Sequence, residues 1–208
     1  MTTPAPPRQT TRRRRPFGDH VAKSVSTLQA QYLKELPSSL ATMARLRSAA
    51  GTVAGSRFDI LDVTAVDPQF LPDMFGDDTT APEHAMHAAL TLYAVHQQSY
   101  RERGLHANGV GFGQAIRRLA EATGNAEAVR RRFAALGTAS TFPGAIYHAR
   151  ALIRQLRDER IPLDYGLLAD DLAAFQRPGG PAKVRAMWGR EYHRTPITTD
   201  SNAPEDES

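Results

Sequence analysis

Apolar side chains recur at helical spacing through most of the chain between residues 19 and 192. The clearest case is the segment 145–157. Its buried stripe is predicted to consist of Ala145, Ala149, Leu152, Ile153 and Leu156. No stretch alternates apolar and polar residues as half-buried strands do, and no repeat of about 20–50 residues is present. The sequence therefore predicts an all-α fold, a helical bundle of about seven to eight helices.

Start and stop signals give approximate helix limits. A helix is expected over residues 19–36, ended by Pro37, and a second over residues 39–49. The strongest start signal is the capping box from Thr80 to Glu83, whose helix is expected to continue to Gly104. Further helices are expected around residues 112–119, 129–136, 145–157, 164–175 and 182–192. Residues 51–79 are rich in Gly, Asp and Pro, which indicates loops with one or two short helical turns.

Charge is distributed unevenly along a chain of net charge +4. Residues 1–15 carry five arginines and no acid, and residues 195–208 carry four acids and no base. Residues 101–160 hold eleven arginines against five acids, which favours a polyanionic partner. We predict three parts. They are a disordered basic arm over 1–16, an all-helical domain over 17–194 and a disordered acidic tail over 195–208. The domain is either single or made of two packed sub-bundles, 17–106 and 107–194.

Composition also excludes several classes of protein. The chain has no cysteine, so disulfides and thiolate chemistry are excluded. No apolar run approaches the roughly 20 residues that span a bilayer, and no secretory leader follows the first arginines. We therefore expect a cytoplasmic protein with no membrane partner.

Three arginines of the segment 145–157 are spaced to share one helical face. Arg150, Arg154 and Arg157 follow the pattern i, i+4, i+7 and fall within an arc of roughly 60° beside the apolar stripe. Arg150 and Arg154 lie about 6 Å apart along the helix axis, close to the phosphate spacing of an extended nucleic acid strand. Guanidinium groups match phosphate oxygens. The alternative is a solvated face, or ion pairs with Asp158, Glu159 or a neighbouring helix.

Further cations are candidates for contacts with nucleic acid. They are Arg45, Arg47, Arg117, Arg118, Arg131, Arg132, Lys183, Arg185 and Arg190. Few aromatic residues lie among these cations, so base stacking is not indicated and binding to the backbone without sequence readout is predicted. The run Arg12–Arg15 either contacts nucleic acid or belongs to a dispensable tail.

The motifs that could carry catalysis are incomplete. His84 and His87 have the spacing of two metal ligands on a helix, but neither is expected on the apolar face and no third ligand accompanies them. The glycines of residues 109–113 lack the strand and the Gly-Lys-Ser/Thr sequence of a nucleotide loop. Asp170 and Asp171 are adjacent, so their side chains should diverge onto a solvated face. We predict no catalytic residue, no metal and no cofactor.

Five segments occur together in a specific order. They are residues 40–47, 111–119 and 131–136, then Asp164-Tyr165-x-x-Leu168-x-x-Asp171-Leu172 and Val184-Arg185-x-x-Trp188-Gly189-Arg190-x-Tyr192. The pattern resembles the CasB family, the small subunit of the type I-E CRISPR Cascade surveillance complex. The resemblance covers roughly residues 21–194, and its last segment is the most specific.

The resemblance implies an all-helical protein that is not an enzyme and contributes to antiviral defence. Its implied partners are the guide RNA, the target and displaced DNA strands, the backbone and large subunits, and a second copy of itself. The matching segments carry over Arg45, Arg47, Arg117, Arg118, Arg131, Arg132, Arg185 and Arg190 as nucleic-acid contacts. Two alternatives remain open: a free-standing helical DNA-binding regulator, which would need a recognition helix, and a metal enzyme using His84 and His87.

Overall fold

The computed structural model of the chain describes residues 12–72, 76 and 78–194. Within these residues nine α-helices form, and their bounds are as follows. They are α1 (Pro16–Leu33), α2 (Pro37–Ser48), α3 (Leu61–Thr64), α4 (Ala81–His96), α5 (Phe112–Ala122), α6 (Ala126–Thr138), α7 (Phe142–Asp158), α8 (Tyr165–Phe175) and α9 (Gly180–His193). The prediction of an all-α fold is confirmed. Eight helices correspond to the predicted segments, and the four-residue α3 lies where short turns were expected.

Helix α4 forms the centre of the bundle because nearly its whole circumference is apolar. Every residue from Ala85 to His96 is buried, as expected for a helix surrounded by others. It packs against α1, α2, α7 and α8, while α5 packs against α6, α7 and α9. A continuous cluster of buried apolar side chains includes residues from both halves of the chain. Helix α8 lies against α1 and α4, so the two halves of the chain pack on each other through this core.

The capping box at the start of α4 is confirmed. The Thr80 hydroxyl accepts the backbone N–H of Glu83 at 3.5 Å, and the Glu83 carboxylate accepts the backbone N–H of Thr80 at 2.7 Å. These reciprocal bonds satisfy backbone donors that the first helical turn leaves unpaired. They fix the entry of the chain into the most buried helix.

Thr80→Ala should lower the free energy of unfolding by about 1 kcal/mol, because it removes the side-chain half of this box. Urea denaturation followed by far-UV circular dichroism measures the change. The matched control is Thr27→Ala, an exposed threonine inside α1, for which we expect a change below about 0.5 kcal/mol. Equal effects of the two substitutions would contradict a capping role for Thr80.

Two predicted helix ends are wrong. Helix α4 ends at His96, well before Gly104. The Gln97 side chain accepts the N–H of Leu105 at 2.7 Å and donates to the carbonyl of Tyr100 at 2.6 Å, so it stabilises a turn in place of further helix. Helix α1 ends at Leu33, and Pro37 is the first residue of α2, a position that tolerates its missing N–H.

Residues 12–15 lie against α8 and α9, whereas the sequence predicted a disordered arm as far as residue 16. The Arg12 guanidinium lies 2.8 Å from the Asp171 carboxylate and 3.2 Å from that of Glu191. Arg12 is half-buried and Arg13 is exposed, as expected where side chains alternate along an extended segment. Residues 1–11 and the predicted acidic tail, 195–208, lie outside the described residues.

Asp164 connects this N-terminal segment to the start of α8. Its carboxylate accepts the N–H groups of Gly109 at 2.7 Å, Gly166 at 3.0 Å and Leu167 at 3.1 Å. The Arg14 guanidinium donates to both carboxylate oxygens, with two distances of 2.8 Å. Burial acts to raise the pKa of Asp164, but the bonds from Arg14 and the backbone outweigh it, so the pKa is lowered.

Asp170 and Asp171 were predicted to lie on a solvated face, and this is wrong: they are 9% and 4% exposed. Asp170 accepts the backbone N–H groups of Arg15 at 2.6 Å and Gly18 at 2.9 Å. Asp171 accepts the indole N–H of Trp188 at 2.8 Å, and burial raises the pKa of Asp171 to about 7. Adjacent acids can both be buried here because the N-terminal segment covers one side of α8 and α9 packs on another.

Among the helices in the described ranges, none combines the length and the hydrophobicity that a membrane span requires.

Candidate nucleic-acid interface

The three arginines of α7 share one face but have different surroundings. Arg150 is half-buried, and its Nη1 donates to the carbonyl of Ala50 at 2.7 Å. Arg157 lies 2.8 Å from the carboxylate of Asp158, so the ion pair considered from the sequence is present. Arg154 is exposed and has no ion pair within residues 12–72, 76 and 78–194. Arg154 is therefore the member of the set with a side chain directed to solvent.

Positive charges on α7 lie close enough to influence each other. Burial and the neighbouring charge of Arg154 together lower the pKa of Arg150 from its ordinary value. Guanidinium groups stay protonated nevertheless, so the face keeps both charges at physiological pH. An anion bound between Arg150 and Arg154 would relieve their mutual repulsion.

Helices α5 and α6 pack together and carry four of the predicted contacts. Arg117 pairs with Glu121 at 3.0 Å, one helical turn away. Arg118 is half-exposed, and Arg131 and Arg132 are exposed. None of these last three forms an ion pair with a described residue. On this pair of helices, Arg131 and Arg132 therefore combine full exposure with the absence of an ion pair among the described residues.

The cations of helix α9 differ in what they contact. Lys183 and Arg190 are exposed, with no acidic partner in the part of the chain that the structure covers. Arg185 instead donates to the carbonyl of Ala139, the residue that follows α6, and its guanidinium lies 5.7 Å from the ring centroid of Phe175. Arg185 therefore has a structural role in joining α9 to α6 and α8.

Arg45 and Arg47 lie in the last turn of α2, and both are half-buried. Arg45 donates to the hydroxyl of Thr42 at 3.1 Å. Cations in a last turn interact favourably with the negative end of the helix dipole. A structural contribution is therefore sufficient to explain these two arginines, and their contact with nucleic acid stays a prediction.

Three exposed arginines outside the predicted set lie near Lys183. A cleft of about 390 Å³ lies between the N-terminal segment, the end of α8 and the first turns of α9. Its lining includes Arg13, Arg15, Arg177 and Lys183. For the run Arg12–Arg15 the sequence left open a contact with nucleic acid or a dispensable tail, and Arg177 belongs to none of the motifs. Local patterns could not locate this cleft because it forms between residues more than 150 positions apart.

The structure offers no metal centre in the described residues, where no group of three or more histidines and acids lies close enough to hold an ion. His87 is buried at 5% exposure, although neither histidine was expected on the apolar face. Its pKa is lowered by burial. At the start of α5, the N–H of Gly113 donates to the carboxylate of Glu191 at 3.0 Å. That helix terminus therefore already contacts an anionic group of the protein itself.

A family model described as CRISPR-associated protein Cse2 matches residues 42–193. The chain belongs to the Cse2 family. A crystal structure of CasB from Thermobifida fusca is 37% identical, with a TM-score of 0.76, and the match covers 88% of this chain and 100% of that chain. The resemblance to the CasB family is therefore confirmed. The Cse2 match includes every predicted contact from Arg45 to Arg190, whereas Arg12–Arg15 precede it.

Two more distant structures share the fold. A Cse2-family protein from Thermus thermophilus is 23% identical, with a TM-score of 0.62, and the match covers 84% of this chain and 96% of that chain. A chain in a structure described as a CRISPR RNA-guided surveillance complex is 24% identical, with a TM-score of 0.62, covering 85% of this chain and 91% of that chain. A comparison with curated protein sequences gave no match.

Proposed function

We propose that this Cse2-family chain is the non-catalytic small subunit of a type I-E CRISPR RNA-guided surveillance complex. In this role it binds the backbone of the guide RNA and target DNA, and stabilises the R-loop together with its displaced strand. Five exposed cations without an ion pair among the described residues carry the proposal. They are Arg131, Arg132, Arg154, Lys183 and Arg190.

The distribution of ion pairs suits this role. Some surface arginines outside the predicted set pair with acids, as Arg57 does with Asp59 and Arg101 with Glu35. Arg13, Arg15 and Arg177, which line the cleft beside Lys183, have no ion pair among the described residues. The five exposed cations have no such pairing, and they lie on helices fixed by a common core. An RNA-guided complex reads sequence through base pairing, so its protein surfaces need only hold the sugar–phosphate backbone. An electropositive surface also keeps a displaced strand from re-annealing.

The proposed partners follow from this assignment. They are the guide RNA, both DNA strands, the backbone and large subunits of the complex, and a second copy of the chain. The proposed location is the cytoplasm, where RNA-guided targeting of invading DNA takes place. The alternative of a free-standing regulator needs base-reading side chains on a recognition helix, and family membership supports the complex instead.

Reversing the charge of Arg132 and Arg154 together should shorten R-loop lifetime at least tenfold in the assembled complex. Arg150 is avoided because its bond to Ala50 would confuse a structural effect with a binding effect. If about four cations contact single-stranded phosphates, log affinity for single-stranded DNA should fall with log salt at a slope near −3. Removing two contacts should reduce that slope by about 1.4. Salt-dependent binding isotherms and R-loop dissociation kinetics measure these effects.

The matched control is the double variant Arg57→Glu with Arg101→Glu. It changes the net charge equally, at two arginines that already pair with acids. R-loop lifetime and salt slope should stay close to wild type in this control. Equal losses in both double variants would show that net charge matters and position does not. Association with DNA that does not depend on salt would also contradict the proposal.

A further inference from the structure

An exposed aromatic side chain stands beside the arginines of α7. Tyr147 is 74% exposed and precedes Arg150 by three residues and Arg154 by seven. This spacing places all three on one side of the helix. The sequence alone did not indicate base stacking, because few aromatic residues lie close to the arginines along the chain. The helix face nevertheless combines a π surface with two guanidinium groups, the pair of features that single-strand binding sites use.

Tyr147 borders a groove between the turn at residues 50–54 and the first turns of α4 and α7. This α7 groove has a volume of about 590 Å³, within the range of about 300–1,000 Å³ typical of small-ligand sites. Its apolar lining includes Phe142 and Ile146. The ring of His84 lies 5.8 Å from that of Phe142. The groove therefore has the volume of a small-ligand site and aromatic rings in its lining.

A buried polar atom without a partner belongs to the lining of the α7 groove. His87 is 5% exposed and lines the groove. Its Nε2 lies 3.5 Å from the hydroxyl of Thr52, and its Nδ1 is buried without a hydrogen-bond partner among the residues described. Burial lowers its pKa, so the imidazole is neutral and each ring nitrogen can donate or accept according to the tautomer. Buried polar groups of this kind normally have a partner. His87 and Thr52 therefore form a polar part of the groove wall, which suits a ligand with a polar edge.

We infer that the α7 groove takes one unstacked nucleobase from the single strand whose phosphates lie along Arg150 and Arg154. The inference rests on the proposed function and extends it from backbone binding to base capture. The base stacks against Tyr147 and presents its polar edge to His87. Arg150 and Arg154 stand about 6 Å apart along the axis, which matches successive phosphates of an extended strand.

An apolar segment of a companion subunit is the other candidate occupant of the groove. The charges favour the nucleotide, because Arg150 lines the groove and has no acidic partner in the described residues. Arg150 already donates from Nη1 to the Ala50 carbonyl, but a purely apolar segment would cover its guanidinium without supplying an anion. A nucleotide supplies the anion, the aromatic plane and the polar edge together.

The test compares two fluorescein-labelled 20-nucleotide probes on the full-length chain: oligothymidine and an abasic strand of the same length and charge. Wild type should bind oligothymidine about 5- to 150-fold more tightly, the range expected for stacking of one base. Tyr147→Ala should abolish this preference without changing the affinity for the abasic strand, and Tyr147→Phe should keep it. The control Phe58→Ala removes another exposed aromatic, 88% exposed and outside the groove, and should keep the preference.

Each outcome decides between the proposals. Equal affinity of wild type for both probes, with normal salt dependence, would overturn base capture and leave backbone binding intact. Salt-independent or undetectable binding of both probes would contradict the proposed function and this inference with it. A Tyr147→Ala variant that keeps the probe preference but no longer co-purifies with the companion subunits would assign the groove to a protein segment. Far-UV circular dichroism confirms that each variant is folded.

Discussion

Asp164→Ala should lower the free energy of unfolding by about 3–5 kcal/mol, the range for breaking a buried ion pair from one side. The carboxylate is 1% exposed and accepts three backbone N–H groups, of Gly109, Gly166 and Leu167. Alanine would leave these donors without a partner, and the Arg14 guanidinium would keep only the exposed carboxylate of Asp19, 3.6 Å away. It would also remove the N-cap of α8, the helix that packs on both α1 and α4.

Urea denaturation at neutral pH measures the loss, and Asp158→Ala is the matched control. Asp158 also pairs with an arginine, but its side chain is 59% exposed, so its removal should cost less than about 0.5 kcal/mol. Asp164→Asn should fall between the two, because asparagine caps helices well and carries no charge. A loss for Asp164→Ala as small as that for Asp158→Ala would contradict the role assigned to this carboxylate.

The same carboxylate should make stability fall in acid. Its pKa in the folded chain is lowered below the ordinary value of 3.8, so the unfolded chain binds the proton more tightly. The stabilisation is therefore complete above about pH 4 and is lost as the pH falls through the folded pKa. Asp164→Asn should make the free energy of unfolding depend less steeply on pH between pH 2 and 5. An unchanged pH dependence in this variant would mean that other carboxylates dominate acid unfolding.

Local sequence patterns were sufficient to predict which segments form helices, but tertiary contacts determine where those helices end. The apolar stripe of α7 and the capping box of α4 depend on residues within a few positions of each other, so period and spacing reveal them. The end of α4 depends instead on Gln97, whose amide stabilises the following turn through Tyr100 and Leu105. Nothing in the helical pattern of Ala81–His96 signals that competing interaction.

The face of each arginine could be predicted, but its partner could not. The spacing of Arg150, Arg154 and Arg157 put them correctly on one side of α7. The carbonyl that Arg150 contacts belongs to Ala50, 100 residues earlier in the chain, and Arg185 contacts a carbonyl 46 residues earlier. These two arginines therefore have structural roles that their motifs do not indicate. Among the three arginines of α7, Arg154 alone is exposed, as a surface role requires.

The adjacent acids of α8 show why polar sequence does not guarantee a solvated surface. Asp170 and Asp171 were assigned to solvent because neighbouring side chains diverge on a helix by about 100°. They do diverge, but Asp170 meets the backbone of Arg15 and Asp171 meets Arg12 and Trp188. The donors come from both ends of the chain, so only the folded topology reveals them.

Trp188→Ala should lower the free energy of unfolding by about 3–5 kcal/mol, the range for removing a large aromatic side chain from a core. Trp188 is 2% exposed, and its ring centroid lies 5.1 Å from that of Phe112. It joins α9 to α5, and therefore helps to fix the positions of Arg190 and Lys183 relative to the rest of the bundle. Its removal would also leave the buried Asp171 carboxylate without the indole N–H.

Trp188→Phe separates the two contributions, because it fills most of the volume but cannot donate to Asp171. We expect a smaller loss of about 1–3 kcal/mol, the cost of leaving one buried acceptor unsatisfied. Chemical denaturation must be followed by circular dichroism, since Trp188 is the sole tryptophan of the chain and each variant removes the fluorescence signal. Equal losses for alanine and phenylalanine would mean that the bond to Asp171 dominates and ring packing adds little.

The loss for Trp188→Phe should also depend on pH, because burial raises the pKa of Asp171 to about 7. Below that pH the protonated carboxyl is itself a donor and no longer a buried charge, so the loss should shrink as the pH is lowered from 8 to 6.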